Sequence, residues 1–228
     1  MSKLKSQSSR IKPASTPIKR KTIAIIDRLS KKWPDPRCEL YYRTEFQLLV
    51  SVVLSAQTTD KMVNECMKPI YDQGFTPETV IGWGHEALLE KIRRIGLAPT
   101  KAKNVYRLSE IIIDKHQGRV PNNREALEAL PGVGRKTANV VLGEIFGEPT
   151  LAVDTHVYRV TQRLGLQNES NPLAAELKLL KVIEPRFLPR AHHLFIMLGR
   201  YVCKARKPEC GNCNLNDICP SSLIKANA

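Results

Sequence analysis

Apolar residues recur along this chain at intervals of three and four. Ile23, Ile26 and Leu29 share one helical face, and Phe46, Leu49, Val50, Val53 and Leu54 form a broader, strongly buried one. Leu88, Leu89 and Ile92 form another, as do Val105, Leu108, Ile111 and Ile112. The same period runs through Ala126–Leu130, Thr137–Phe146, Val157–Leu164, Ala174–Ile183 and His193–Val202. Glycines and prolines interrupt it at Gly74, Pro77, Gly96, Pro99, Pro121, Pro131, Pro149, Pro172 and Pro185. No alternating apolar run is long enough to be a strand. The pattern predicts an all-α protein of roughly ten helices with short connections. The longest apolar stretch, Phe46–Ala56, is broken by Ser51 and falls short of the ~18 residues of a membrane span.

At 228 residues the chain is long enough for one domain or two compact ones. Charge changes the picture more than size does. The net formal charge is +14, and residues 1–21 carry Lys3, Lys5, Arg10, Lys12, Lys19, Arg20 and Lys21 with no acid. Two prolines and five serines in that segment argue for a disordered basic tail that adds attraction to phosphates. The segment lacks the apolar stretch of a signal peptide, and its lysines and weak apolar periodicity fit a transit peptide poorly. A basic chain of this size points to a nucleic acid partner, although charge alone does not separate DNA, RNA and acidic proteins.

Four cysteines stand near the end, Cys203, Cys210, Cys213 and Cys219, spaced C-x6-C-x2-C-x5-C. Two disulfides would suit a secreted domain, which this chain does not resemble. A zinc site and an iron–sulfur cluster both take four thiolates, and the spacing leaves those two open. Cys38 and Cys66 stand apart and read as small buried hydrophobes.

Between two helical runs lies Leu130-Pro131-Gly132-Val133-Gly134. Pro131 ends the first run, two glycines allow a turn with positive φ, and the next helix starts at about Arg135 with its free amides outward. Such a start is an anion site, with Val133 anchoring the tip. Gly96-Leu97 also joins two runs and hints at a related, less defined hairpin. Lys136 follows the turn. A cation at a helix start is electrically unfavourable, which favours a neutral, nucleophilic amine. Asp154, in Val153-Asp154-Thr155-His156, reads first as an N-cap, yet a cap also fixes a carboxylate's direction. Beside Lys136 it would accept the amine's proton and also favour the charged amine. The sequence leaves that balance open.

These residues resemble the helix-hairpin-helix DNA glycosylases of the endonuclease III family. The resemblance rests on LSAQTTD at 54–60, IGL at 95–97, LPGVGRKTANVVL at 130–142, VDTHVYRV at 153–160 and LGRYVCKARKPECGNC at 198–213. It implies two all-helical lobes: one over residues 38–148 with six helices and the hairpin, the other joining residues 22–37 to 149–220 and holding a [4Fe–4S] cluster on the four cysteines. Residues 1–21 and 221–228 would be tails. It implies a glycosylase and apurinic/apyrimidinic-site lyase that removes oxidised or ring-saturated pyrimidines from double-stranded DNA. Lys136 would attack the sugar C1′ to form an imine, Asp154 would assist, and β-elimination would break the strand. Gln57 matches the residue that fills the space of the extruded base and Leu97 the apolar wedge beside it. Gly132, Val133, Gly134 and Arg135 would hold the DNA backbone, as would Lys204, Arg206 and Lys207 in the loop the cluster staples. Asp60 and His156 lie at positions near the pocket.

One departure stands out. After Ile95-Gly96-Leu97 this chain has Ala98-Pro99-Thr100, where the family often carries an aromatic residue and a freer loop. Proline stiffens the turn, which bears on lesion preference more than on the reaction. Two rivals are a mismatch glycosylase that uses water, against which Lys136 speaks, and a non-catalytic iron–sulfur DNA-binding module. A monomer in the cytoplasm at the nucleoid is the expected setting, or the nucleus or an organelle in a eukaryote.

Overall fold

The computed structural model describes residues 16–224. Those residues form ten α-helices and no strand. In chain order they are α1 (Pro17–Lys32), α2 (Glu45–Leu54), α3 (Asp60–Tyr71), α4 (Pro77–Ile92), α5 (Ala98–His116), α6 (Arg124–Glu128), α7 (Arg135–Phe146), α8 (Thr155–Arg163), α9 (Pro172–Val182) and α10 (Leu188–Tyr201). Short 3-10 turns lie at Pro185–Phe187 and Cys210–Asn212. None of these helices is long and apolar enough to cross a membrane.

Local chemistry sets most helix starts. Thr16, Thr44, Thr59, Thr76, Asn123, Asp154 and Asn171 each turn a side-chain oxygen onto a free amide of the following helix. α5 and α7 differ, since Leu97 and Gly134 precede them with no side-chain cap. Their first amides stay available to something outside the helix.

Two hydrophobic cores result. α2 to α7 build the first around α2, which is buried from Phe46 to Leu54. The buried polar side chains of α2 find partners: the Tyr71 hydroxyl meets Ser51 Oγ at 2.9 Å and donates to the Gln47 carbonyl at 3.1 Å, and Gln47 Oε1 accepts from the Arg43 amide at 2.8 Å. The second core gathers Ile25, Ile26 and Leu29 of α1 with residues of α8, α9 and α10, and closes on Leu215 of the cysteine loop. Each such leucine or isoleucine contributes roughly 1.5–3 kcal/mol by leaving water. The chain thus passes from α1 through the whole first core before completing the second.

The structure corrects several expectations. α1 begins at Pro17, inside the segment expected to be a tail, because Thr16 caps it and proline suits the first helical position. Residues 1–15 lie outside the described residues, as do 225–228, while Ser222 is buried in what was expected as the other tail. The core face of α1 is Thr22, Ile25, Ile26 and Leu29, so Ile25 takes the place expected of Ile23. α6 stops at Glu128, before Pro131, and Leu130 reaches the core from the turn. Cys38 and Cys66 are half-buried against the first core.

Candidate active site and cysteine loop

The hairpin between α6 and α7 is shaped by Gly132. Its φ of +80° is left-handed, and a Cβ there would lie 2.9 Å from Asn104 Nδ2 and 3.2 Å from Val53 Cγ1. Conformation and space both require glycine at that position. Val133 is buried in the first core and its amide donates to the Leu130 carbonyl, closing the turn. Gly134 and the uncapped first turn of α7 follow, bringing Lys136 to the surface of a cleft between the two cores.

Asp154 faces the same cleft from the first residue before α8. Its Oδ1 accepts from the Val157 amide at 2.7 Å, so the capping role is present and leaves the second oxygen for other use. Lys136 and Asp154 together line an inner cavity and an adjoining outer one. The inner cavity is also lined by Cys38, Glu39, Asp60, His192, His193 and Arg200. Lys136 is exposed and makes no hydrogen bond or ion pair within the described residues.

Several residues that sequence reasoning passed over build this cavity. Arg200 spans it, donating Nη2 to Asp60 at 2.6 Å and Nη1 to Glu39, which also accepts from the Tyr201 hydroxyl. Burial works against the Arg200 charge, but the hydrogen bond to Asp60 and its two carboxylates together hold the guanidinium above its ordinary value. Asp60 is therefore an ion-pair partner that ties α3 to α10. Deeper, His193 Nε2 lies 2.8 Å from Glu144, which also accepts from the Tyr42 hydroxyl at 2.7 Å. The His193 bond, ahead of the cost of burial, lowers the Glu144 carboxyl below its usual range. His192 donates Nδ1 to the Ala152 carbonyl at 3.0 Å, and burial, reinforced by His193, lowers its pKa to about 4. A neutral imidazole thus braces the strand-like segment that carries Asp154. A doublet of histidines on one helix was the available signal, but its partners are dozens of residues away.

Gln57, expected at the DNA, lines an outer cavity with Asp60, His156 and Arg200, and the loop of Leu97, also expected there, meets it where Gly96 packs against the Gln57 carbonyl. Both Gln57 and Leu97 are left-handed, with φ of 54° and 62°, and both are exposed, Leu97 by 57 %. Non-glycine residues seldom adopt that conformation, and it costs on the order of 1 kcal/mol or more. Pro99 sits in the first turn of α5, where its missing amide costs nothing. His156 lines the outer cavity, its Nδ1 3.3 Å from Arg159 Nη2. Arg135 is otherwise engaged than expected: Nε and Nη2 form a bidentate pair with Glu176 at 2.9 and 2.7 Å, linking α7 to α9. Glu176 is only 4 % exposed, so this pair is a structural bridge between the cores.

The four cysteines surround a second, apolar-walled cavity with Leu164, Leu198, Val202 and Pro208. None of the four is in a disulfide. A zinc site would draw the sulfurs to ~2.3 Å from one point. An iron–sulfur cluster takes the same four thiolates, and four cysteines lining one cavity suit either centre. Burial raises the Cys213 and Cys219 thiols, so thiolates there need a positive centre. Arg163 supplies part of the local charge, with Nη1 3.4 Å from Cys203 Sγ, and clamps the loop through the Lys204 and Ala205 carbonyls at 2.7 and 2.8 Å. Arg28 of α1 holds the far side through the Asn214 carbonyl and Asp217. In the loop, Lys204 is paired with Glu209 at 2.5 Å, while Arg206 and Lys207 are exposed.

Comparison with known proteins agrees with this architecture. Residues 50–185 match the family described as HhH-GPD superfamily base excision DNA repair protein, and residues 203–219 match the iron–sulfur binding domain of endonuclease III. Endonuclease III of Haemophilus influenzae is 47 % identical over 88 % of this chain and 95 % of its own length. That of Escherichia coli K12 is 46 % identical over the same shares. A solved trapped endonuclease III–DNA covalent intermediate superimposes with a TM-score of 0.85 at 43 % identity, covering 91 % of this chain and 98 % of the other. A thermostable thymine-DNA glycosylase at 23 % identity shares the fold, with a TM-score of 0.78 over 89 % of this chain and 97 % of its own. The chain belongs to the HhH-GPD superfamily of base excision DNA repair proteins and, within it, to the endonuclease III family with its iron–sulfur binding domain.

Proposed function

We propose that this enzyme removes oxidised or ring-saturated pyrimidines from double-stranded DNA as a monomer at the nucleoid, with Lys136 as nucleophile and Asp154 as its partner. The chain is a DNA glycosylase and lyase of base excision repair and carries a [4Fe–4S] cluster. The observation that carries the residue-level reading is the shared cleft. An exposed, unpaired amine and a carboxylate fixed by its capping bond line the same cavity between the cores. The solved covalent endonuclease III–DNA intermediate of a relative supports a covalent course here.

The residues then have distinct tasks. The damaged nucleotide leaves the stack at a cost of a few kcal/mol, less for a non-planar base that stacks poorly. Gln57 and Leu97 enter the gap it leaves. Neutral Lys136 attacks C1′; its nitrogen bonds to that carbon as the glycosidic bond breaks, and the base departs with the electron pair and picks up a proton. Asp154 stabilises positive charge developing on the sugar and takes a proton from the amine. The C1′–O4′ bond of the sugar ring then breaks, with O4′ taking a proton, and the imine so formed acidifies the C2′ hydrogen, whose loss as a proton breaks the C3′–O bond and expels the 3′ phosphate. Asp60 acts through Arg200, as a wall of the pocket, and His156 stands at its mouth.

The uncapped start of α7 after Gly132-Val133-Gly134 receives a backbone phosphate on its amides. Arg206 and Lys207 add a second contact, and Lys204 a weaker one because Glu209 already pairs with it. Cys203, Cys210, Cys213 and Cys219 would hold the cluster. When bound, it supplies a rigid centre for this loop and takes no part in the bond changes. Borohydride trapping on duplex DNA with an abasic site tests the reading: a covalent adduct that vanishes in Lys136→Ala supports it, and an undiminished adduct assigns the chemistry elsewhere.

A further inference from the structure

Behind Gln57 and Leu97 lies a lysine whose burial has no role in the mechanism above. Lys101 sits in α5 and is only 4 % exposed. Its ammonium makes one hydrogen bond, to Thr58 Oγ1 at 2.9 Å. Burial lowers its pKa below the ordinary lysine value, so the site is costly to a cation. A methionine would fill the same space without that cost. A retained buried ammonium with one neutral partner calls for a purpose.

Its position supplies one. Thr58 directly follows left-handed Gln57, and its amide closes the turn onto the Ser55 carbonyl at 3.1 Å. The backbone amide of Lys101 donates to the carbonyl of left-handed Leu97 at 3.0 Å. The Lys101–Thr58 bond therefore joins the two strained residues through one short path. The loops are already close: a Cβ on Gly96 would lie 3.4 Å from Thr58 Oγ1 and 3.6 Å from the Gln57 carbonyl. Neither loop has another side-chain hydrogen bond to the other among the described residues. Without this bond each tip would be free to relax from its left-handed conformation independently.

We propose that Lys101 and Thr58 form a clamp that locks the Gln57 and Leu97 loops into a single wedge, making Lys101 a positioning residue for base extrusion. The clamp rests on the reading of Gln57 and Leu97 as gap-filling residues. It touches neither the sugar nor the departing base. Its contribution therefore belongs to the step in which a paired nucleotide is exchanged for protein side chains. Once a lesion is already unpaired, little of that step remains.

The test compares excision of one ring-saturated pyrimidine in two settings, a fully paired duplex and a bubble in which the lesion has no partner. Lys101→Met should lower kcat/KM on the paired substrate by about tenfold, and the loss should shrink to about twofold or less in the bubble. Thr58→Val should show the same contrast from the other side of the bond, Thr58→Ser should restore activity, and the double variant should cost no more than either single one. Thermal midpoints of all variants serve as the control for folding. Equal losses on both substrates, or additive losses in the double variant, would overturn the clamp. Leu97→Ala and Gln57→Ala run alongside: if these also lack a preference for the paired substrate, the wedge reading itself fails, whereas a preference in them alone rejects only the clamp.

Discussion

Arg163 Nη1 lies 3.4 Å from Cys203 Sγ, at the end of the helix that Asp154 caps at its start. Helix α8 therefore runs from the cleft carboxylate to the cysteine cage. Arg159, one turn before Arg163, donates to the Gly199 carbonyl at 2.9 Å and to the Cys203 carbonyl at 3.2 Å. Its close neighbour on α10 is Gly199, where a Cβ would meet His156 Cβ at 2.8 Å. Rigid packing of α8 on α10 thus transmits the position of the cage to the cleft. Purified protein should contain about four irons and four sulfides and be yellow-brown. Arg163→Gln should retain iron initially and release it several times faster to a chelator, because the loop loses two carbonyl clamps and a donor to sulfur. Iron analysis and the decay of visible absorption check both; zinc at full occupancy from an iron-replete anaerobic preparation would contradict the first.

Lys136→Ala should lose the borohydride adduct and strand cleavage, while binding to abasic duplex stays within about threefold, because affinity comes from many phosphate contacts. Trapping gels and a binding titration separate the two quantities. Loss of binding in step with chemistry would reassign Lys136 as a phosphate contact.

Asp154→Asn keeps the cap, since asparagine caps about as well as aspartate, and stability should change by only a few tenths of a kcal/mol. Asp154→Ala should cost about 1 kcal/mol. Excision should nonetheless fall about a hundredfold in both, because each lacks the carboxylate. Melting curves beside single-turnover rates decide the point. Near-normal excision by the asparagine variant would leave Asp154 a cap and nothing more.

Short-range chemistry was legible in the sequence and long-range pairing was not. The hairpin could be placed because proline and two glycines act through local backbone geometry, and Asp154 because a cap needs only the next three residues. Arg200 was invisible as a cleft residue: its partners, Glu39 and Asp60, lie 161 and 140 residues earlier, and only the fold brings them together. His193 and Glu144 were read as parts of apolar helices, and His192 was passed over, because a helical period records which face is buried and says nothing of what that face meets. Arg135 was expected at the DNA backbone, and its pairing was missed because Glu176 sits in another helix, 41 residues on. The start of α1 was missed because a dense cluster of cations outweighed a threonine–proline start signal.

Acid should destabilise this protein before it affects an ordinary basic domain. His192 is held near 4 by burial, whereas in the unfolded chain it titrates at its ordinary value of 6.5. Between those values the unfolded state binds more protons, so stability is full above the unfolded value and falls as pH drops toward the folded one. The loss is on the order of 3 kcal/mol. Glu144, lowered chiefly by His193, adds a further loss at lower pH as its carboxylate is protonated. Denaturant titrations from pH 7 to 4 should show this slope, and His192→Gln should flatten it, because its amide can still donate to the Ala152 carbonyl but cannot take up a proton. A slope unchanged in that variant would move the acid sensitivity to other groups.

Binding should depend steeply on salt, with unequal shares for the basic residues. Each phosphate neutralised contributes roughly −0.9 to the slope of log K against log salt. Lys204 is already paired with Glu209, so its alanine variant should change that slope little. Arg206 and Lys207 are exposed, and replacing both with alanine should reduce the slope by up to about two phosphates' worth while leaving iron content intact, since no cysteine is altered. Deleting residues 1–15 removes four cations and no acid. It should flatten the slope equally for damaged and undamaged duplex, because charge without shape does not distinguish them. Replacing Gly132 with alanine should act differently again. It strains a left-handed turn against Asn104 and Val53, so it should weaken binding and lower the thermal midpoint together. Titrations at four or five salt concentrations give all of these slopes. If the paired Arg206 and Lys207 variant keeps the parent slope, the cysteine loop does not face the phosphate backbone, and the cage would then serve only to hold α8 in place.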